Sequence, residues 1–479
     1  MRKALFVLPL AAAMMLAGCV NLAPDYERPE APVAAAWPQD AASKNAVLVT
    51  EGLADWAEFF TDERVKKLIA LGLENNRDLR AAMHNVEAAR AQYRVSRGQL
   101  LPSVAAVASE SAQRTPRRVS SSGRTVVSHV YSANAAMASY ELDLFGRIRN
   151  LNEQALQQYF VTEAAQRTAQ MTVVTEIART WLSLGASKQL LKLAQETYQS
   201  QAQSKELIER SYEVGSASLM DVEQVTTTVA AAKAAQASAL RAVSQQRNAL
   251  ALLVGAPVPS ELEPEELPEG ITARLSAVSN VPSEVLLGRP DIAAAEARLK
   301  SANANIGAAR ANFFPRIALT GSFGYTSPEL SNLFGAGTRG WSWGPSISLP
   351  IFTGGQNVAN LEAAEQSKKA AVASYEGAIQ NAFREVADAL AVEGTVTDEL
   401  KAVEELAAAT KNSYDLSVVR YNSGADSFLE VLVNQRSNFA AQQNLIAARL
   451  NRATSAVTLY KVMGGGSKLA AAERAEGAK

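Results

Sequence analysis

Two periods run through this chain, one helical and one of strand type. Between Pro116 and Pro257 there is no proline, and the Ala, Gln, Leu, Glu and Arg that fill the interval favour helix. After Gly146 only Gly185 and Gly215 interrupt it before Gly255 at its end. This predicts a helix from about Arg147 to Val214, about 100 Å long, a turn at Gly215-Ser216, and a return helix from Ser218 to Val254. The pattern recurs beyond Pro350, the last proline: Gly354-Gly355, a helical stretch to Ser423, a turn at Gly424 and a helix to Met463. The second period is two. Trp341, Trp343, Pro345, Ile347, Leu349 and Ile351 alternate with Ser342, Gly344, Ser346, Ser348 and Pro350, which predicts a strand. Ile317, Leu319, Phe323 and Tyr325 alternate in the same way, as do Tyr140, Leu142 and Leu144; a fourth strand, after Pro102, is more weakly patterned.

The two halves repeat each other. An offset of 209 places Gly185 on Gly394, Gly215 on Gly424, Ser218 on Ser427, Val222 on Val431 and Gly255 on Gly464. Upstream, an offset of 213 places Asp78 on Asp291, Arg97 on Arg310 and Pro102 on Pro315. Each half then reads helix, strand segment, very long helix, tight turn and return helix. The expected division is a signal peptide (1–18), an extended N-terminal segment (19–60), a first repeat (61–255), a linker (256–290), a second repeat (291–463) and a disordered tail (464–479). Six prolines from Pro257 to Pro290 among Glu261, Glu263, Glu265, Glu266 and Glu269 make the linker acidic and unlike a core.

Composition narrows the chemistry. The 479 residues carry 47 Lys+Arg against 48 Asp+Glu, so no global field draws in nucleic acid. One Cys and two His exclude a disulfide framework, a thiolate zinc site and a multi-His metal cage. About 90 Ala, more than twice ordinary usage, favour long, closely packed helices. Neither His84 nor His129 stands near a nucleophile motif, and no Gly-rich phosphate loop is present, so no catalytic residue, metal or cofactor is expected.

The N-terminus explains the lone cysteine. Arg2 and Lys3 precede an apolar run from Ala4 to Ala17, too short to span a membrane and typical of a signal peptide. It closes in Leu16-Ala17-Gly18-Cys19, which matches the bacterial lipobox and implies cleavage before Cys19 with a lipid on its sulfur. Val20, rather than Asp, then implies passage to the outer membrane. A soluble half-buried sheet would give the same alternation as a membrane strand, but the export signal and the aromatic residues near the strand ends favour the membrane. Four strands cannot close a barrel. Two chains would give eight strands packed solid with side chains, whereas three give twelve strands enclosing space; a homotrimer is expected.

The lipobox followed by Leu22-Ala23-Pro24-Asp25-Tyr26-Glu27-Arg28-Pro29, the stretch Leu287-Gly288-Arg289-Pro290-Asp291-Ile292 and the segment from Ile306 to Gly324 resemble the outer membrane factor (TolC-like) family of tripartite efflux systems, most of all its OprM-type lipoproteins. The resemblance implies a mostly α homotrimer, a twelve-stranded β-barrel in the outer membrane continuing into a periplasmic twelve-helix α-barrel. It implies a passive exit duct for drugs and small toxic compounds, partnered by a periplasmic adaptor and an inner-membrane pump of the resistance-nodulation-division (RND) type. Adaptor docking falls on the helical tips, Gly215, Ser216 and Ser218 with Gly424, Asp426 and Ser427, where serines and Asp426 can also cap the returning helices. By analogy a periplasmic gate falls on Asp415, Leu416, Arg420 and Tyr421 facing Glu209, Arg210 and Tyr212. The alternatives are the duct of another export or secretion system, or a lipid-tethered periplasmic coiled-coil scaffold, which would leave the alternating strands without a role.

Overall fold

The computed structural model describes residues 20–37, 55–272 and 283–465. The signal peptide, the lipobox Cys19 and the tail beyond Gly465 lie outside them. Eight α-helices occur among the described residues: α1 (Trp56–Phe59), α2 (Glu63–Asn75), α3 (Arg77–Gly98), α4 (Arg147–Glu213), α5 (Leu219–Val254), α6 (Pro290–Ala311), α7 (Gln356–Asn422) and α8 (Phe428–Val462). Four strands accompany them: β1 (Ala105–Thr115), β2 (Val126–Leu142), β3 (Arg316–Ser327) and β4 (Arg339–Ser348). The order α3-β1-β2-α4-α5 is repeated as α6-β3-β4-α7-α8. The copies match in length as well: α3 and α6 have 22 residues each, α4 and α7 have 67 each, and α5 and α8 have 36 and 35.

The chain divides into two compact units. The first comprises residues 86–162 and 294–375 with the N-terminal segment up to Glu30; the second comprises residues 31–85, 163–293 and those from Glu376 onward.

In the first unit the strands form one antiparallel sheet in the order β1-β2-β3-β4, with an irregularity in β2 between Met137 and Tyr140. Leu144, expected in a strand, lies beyond the end of β2, while β2 begins well before the residues that alternate most clearly. The N-terminal segment is fastened to α6. Arg28 grips Glu296 with both carboxylate oxygens (2.9 and 3.0 Å), and Asn303 donates to the Pro24 carbonyl (2.7 Å). Burial pushes the Glu296 carboxyl up, but hydrogen bonds from Lys300 and Arg28 outweigh it and hold the group below the usual carboxylate range. Gly307 leaves room for this crossing, since a Cβ there would stand 2.7 Å from the Ala23 nitrogen.

The core of the second unit gathers apolar faces from both repeats: Leu68 and Ile69 of α2, Ile177, Trp181 and Leu182 of α4, Leu250 and Val254 of α5, and Val457 and Tyr460 of α8. Phe59 stacks on Tyr460 at 4.2 Å between ring centroids. The stretch expected to be an acidic linker differs from the expectation. Ile271 and Pro264 are buried, the Trp181 indole donates to the Leu262 carbonyl (2.7 Å), and Glu263 pairs with Lys188 and Arg247. Its prolines and glutamates therefore border an edge that packs inward, because one carboxylate meets two cations and one carbonyl meets a buried indole. The guanidinium of Arg289, 7% exposed, ties the start of α6 to Asp291 (2.8 Å), to Glu385 on α7 (2.7 Å) and to the carbonyl of Val462 on α8 (2.7 Å).

The end of α5 requires glycine. Gly255 has φ 74°, and a Cβ on it would run into the Asn75 carbonyl. Gly123, in the β1–β2 turn, has φ 65° but open space around it. Both Ala substitutions carry the left-handed penalty of about 1 kcal/mol, and Gly255→Ala adds the collision. Gly255→Ala is therefore expected to lower the thermal midpoint of the purified protein clearly more than Gly123→Ala; equal shifts would show that the Asn75 contact yields freely.

Candidate functional site

Two regions, one in each unit, carry the features expected of a channel. The first is the sheet. Directly opposed residues of an antiparallel pair share a face, so the register places Phe323 beside Trp341, Gly321 beside Trp343, Leu319 beside Pro345 and Ile317 beside Ile347. Ala133, Ala135 and Met137 of β2 join the same face. This face is apolar yet bare: Trp341 is 73% and Ile347 71% exposed. The other face is polar. Ser322 and Ser342 bridge their hydroxyls at 2.7 Å, Ser109 and Ser132 at 2.8 Å, and Thr320, Ser346 and Asn134 project among them. A soluble sheet buries its apolar face and wets its polar one; here the apolar side has nothing on it, which suits hydrocarbon. Among the described residues β1 pairs only with β2 and β4 only with β3, so each outer strand presents an open row of N–H and C=O groups. No described helix is long and apolar enough to cross a membrane.

The second region is the pair of helical tips. At the first, Gly215 takes φ 78° and its N–H donates to the Tyr212 carbonyl (2.9 Å), while Ser216 donates through backbone and hydroxyl to the Ser211 carbonyl (2.8 and 2.9 Å). Ser218 caps α5 in a reciprocal box with Asp221, whose carboxyl that hydrogen bonding holds below the usual range. At the second tip Gly424 takes φ 73° and its N–H donates to the Tyr421 carbonyl, while the Ala425 N–H donates to the Arg420 carbonyl (2.9 Å each). Its other means of closure are different. Ser427 makes no side-chain cap. Asp426 instead takes a two-pronged ion pair from Arg420 (2.5 and 2.8 Å), which holds its carboxyl below the ordinary Asp range. The repeat offset places Ser211 and Ala217 at these two positions, so the first tip has no counterpart. Beneath the tips Ile208, Val225, Phe428, Val431 and Leu432 form a small core with Tyr421 packed on it, joining the two hairpins. Val214, Leu219 and Met220 are exposed at the first tip, and Leu416 and Val419 beside the second.

The residues expected to form a gate are not paired across the hairpins. Asp415 binds Lys411 (2.6 Å), Arg210 binds Glu206 (2.5 Å) and Glu209 approaches Lys205 (3.5 Å), each four residues along its own helix. Arg420 is taken by Asp426. Tyr212 and Leu416 are exposed. Within one chain each of these charges is thus satisfied on its own hairpin. Helical neighbours at i,i+4 satisfy these charges without ordering two long side chains from different hairpins. Lys411, Glu206, Lys205 and Ser211 were missed in the sequence, although the i,i+4 spacing of opposite charges was available to find the first three.

The sequence pattern of the outer membrane efflux protein family matches residues 68–256 and 281–465, one span in each half. The chain is 44% identical over 469 residues to the toluene efflux pump outer membrane protein TtgC of Pseudomonas putida, covering 97% of this chain and 96% of that relative. Among solved structures it is similar to the open state of the MtrE outer membrane channel of Neisseria gonorrhoeae (TM-score 0.82, 38% identity, 94% of this chain and 99% of that one). It is similar also to a membrane protein from Pseudomonas aeruginosa (TM-score 0.84, 41% identity, 93% and 98%).

The lowered pKa of Asp426 fixes the sign of a pH effect. The contact with Arg420 contributes fully above the ordinary Asp range near pH 4 and is lost as pH falls through the lowered value. At pH 7 the Gly424 and Ala425 amides are expected to exchange hydrogen more slowly in the natural protein than in Asp426→Asn, with the ratio falling towards unity as pH drops through the lowered Asp426 value. A ratio that does not change with pH would contradict the assignment.

Proposed function

The chain belongs to the outer membrane efflux protein family, and on that premise we propose that it is the outer membrane channel of a tripartite multidrug efflux pump of RND type. The sheet carries this reading: four strands, apolar on one bare face and hydroxyl-rich on the other, with both edges open. Three copies give twelve strands, the apolar faces turned to lipid and the serines lining water. The long helices α4 and α7 and their return partners α5 and α8 supply four columns per copy, twelve in the trimer, as a conduit through the periplasm. It is a passive duct with no catalytic step. The first relative described above belongs to a pump named for toluene, which supports small toxic compounds as the cargo.

The partners follow from the tips. A periplasmic adaptor docks on Gly215, Ser216 and Ser218 and on Gly424, Asp426 and Ser427, where apolar side chains stand exposed beside capped turns, and links the channel to an inner-membrane RND pump. The gate lies between copies rather than within one: Asp415, Leu416, Arg420 and Tyr421 of one chain stand opposite Glu209, Arg210 and Tyr212 of the next. Such solvent-exposed pairs are weak enough for adaptor binding to exchange. Cys19 carries the lipid that adds a second hold on the membrane.

A strain lacking this chain is expected to become several-fold more susceptible to pump substrates, and the full chain to restore resistance. Unchanged susceptibility in a strain whose pump and adaptor are expressed would contradict the proposal. For the gate, the double variant Asp415→Ala, Arg420→Ala should raise the conductance of the purified channel in planar bilayers, and an unaltered conductance would remove these residues from it. Intact mass should show acyl chains on the natural protein and none on Cys19→Ala.

A further inference from the structure

The β1–β2 hairpin stands above the rest of the sheet. Pairing of β2 with β3 begins at Tyr131↔Ser327, whereas β1 and β2 remain paired five rows further, to Thr115↔Val126. At about 3.3 Å per row this lifts the turn roughly 16 Å beyond that level. The strands' other ends lead into the helices α3 and α4, so the hairpin is at the outer end of the sheet.

Its charge is one-sided. Arg114, Arg117, Arg118 and Arg124 are all exposed, and residues 111–140 contain no Asp or Glu. Among the described residues none of the four forms an ion pair; Arg117 closes the turn by donating to the Gly123 carbonyl (3.0 Å). Glu110, the carboxylate next to this group along β1, is engaged by His129 at 3.0 Å. The β3–β4 connection, residues 328–338, adds only Glu329. Three guanidinium groups therefore have no partner among the described residues.

Their position says what they meet. Arg114 lies opposite Val127, in the alternate set that includes Tyr131 and Ala133, and so projects from the tryptophan face. That face ends towards the hairpin in an aromatic belt, where Arg339 lies over Phe323 (4.7 Å) and Tyr325 meets Phe334 edge to face (5.2 Å). At about 3.3 Å per row Arg114 stands roughly 20 Å along the strand beyond the Tyr325 row of this belt, so it and the turn lie in the polar layer outside the hydrocarbon that Trp341 and Trp343 face. Guanidinium matches phosphate with two parallel hydrogen bonds, and the match strengthens where water is partly excluded.

We infer that the β1–β2 hairpin binds the phosphate groups of anionic lipids at the outer surface of the membrane, lipids whose chains lie on the tryptophan face. This rests on the channel reading. The probe is bisphosphorylated lipid A against its dephosphorylated counterpart, added to the purified full-length protein in detergent and scored as retained lipid by native mass spectrometry. The natural protein should retain the phosphorylated form at least tenfold more tightly. The triple variant Arg114→Gln, Arg118→Gln, Arg124→Gln, which spares the turn-closing Arg117, should lose that preference, since each cation at an anionic surface is worth several-fold in affinity. The corresponding triple Lys variant should keep most of it.

Equal retention of the two lipids by the natural protein, or an undiminished preference in the Gln variant, overturns the inference. So does displacement of lipid A by millimolar inorganic phosphate, which would make this a site for the free anion. The oligomer mass read in the same spectra separates the two proposals: a monomer counts against the channel, whereas a trimer without lipid preference counts against the hairpin alone.

Discussion

A β-strand in hydrocarbon can send its backbone N–H and C=O groups only to another strand, and an unpaired one costs several kcal/mol per group. The described residues of this chain make one four-stranded sheet and leave both its outer rows open. Everything else in the first unit is consistent with that constraint being met by copies of itself. The outward tryptophans and isoleucines have no protein to cover them, and the serines opposite form hydroxyl bridges that a dry interior would not select. The sheet is neither half of a sandwich nor a lid on a core; it is a sector of a wall.

Duplication makes such a wall economical to encode. One unit of helix, two strands, long helix and return helix, used twice, gives two hairpins of nearly equal length and two tips that pack on one small core. The tips have nevertheless diverged. Serine hydroxyls and a capping box close the first; an arginine–aspartate pair closes the second. The two hairpins are thus closed by unlike chemistry, and only the second closure, an ion pair, responds to pH and salt.

Much of this was legible in the sequence. The proline-free intervals and the glycines at 215 and 424 marked the long helices and their turns to within a residue or two, because a left-handed turn between helices leaves glycine little competition. β4 was legible because tryptophan and isoleucine alternate with serine and glycine, and β3 for the same reason. β1 and the upper part of β2 were harder to read, since Ala, Ser and Val occur on both faces and blur the period. The inward packing within the acidic stretch from Pro257 was not legible. Its composition is that of a surface, and the burial of Ile271 and the Trp181–Leu262 hydrogen bond are long-range facts that no local window contains. The expected gate residues were named, but their partners were not: a charge on a long helix has neighbours at i±4 that compete with anything across the gap, and here the neighbours win. Cys19 lies outside the described residues.

The central claim is that the free edge of β1 in one copy pairs with the free edge of β4 in the next. It is tested most directly by cysteine cross-linking across that seam in native membranes. With Cys19 replaced by alanine, paired cysteines stepped along β1 at Val107, Ser109 and Ser111 and along β4 at Ser342, Gly344 and Ser346 should, in one register, convert the monomer on oxidation to dimer and closed trimer bands. Single-cysteine controls should not. A seam that never cross-links in any register, with the chain remaining monomeric in the membrane, would contradict the account.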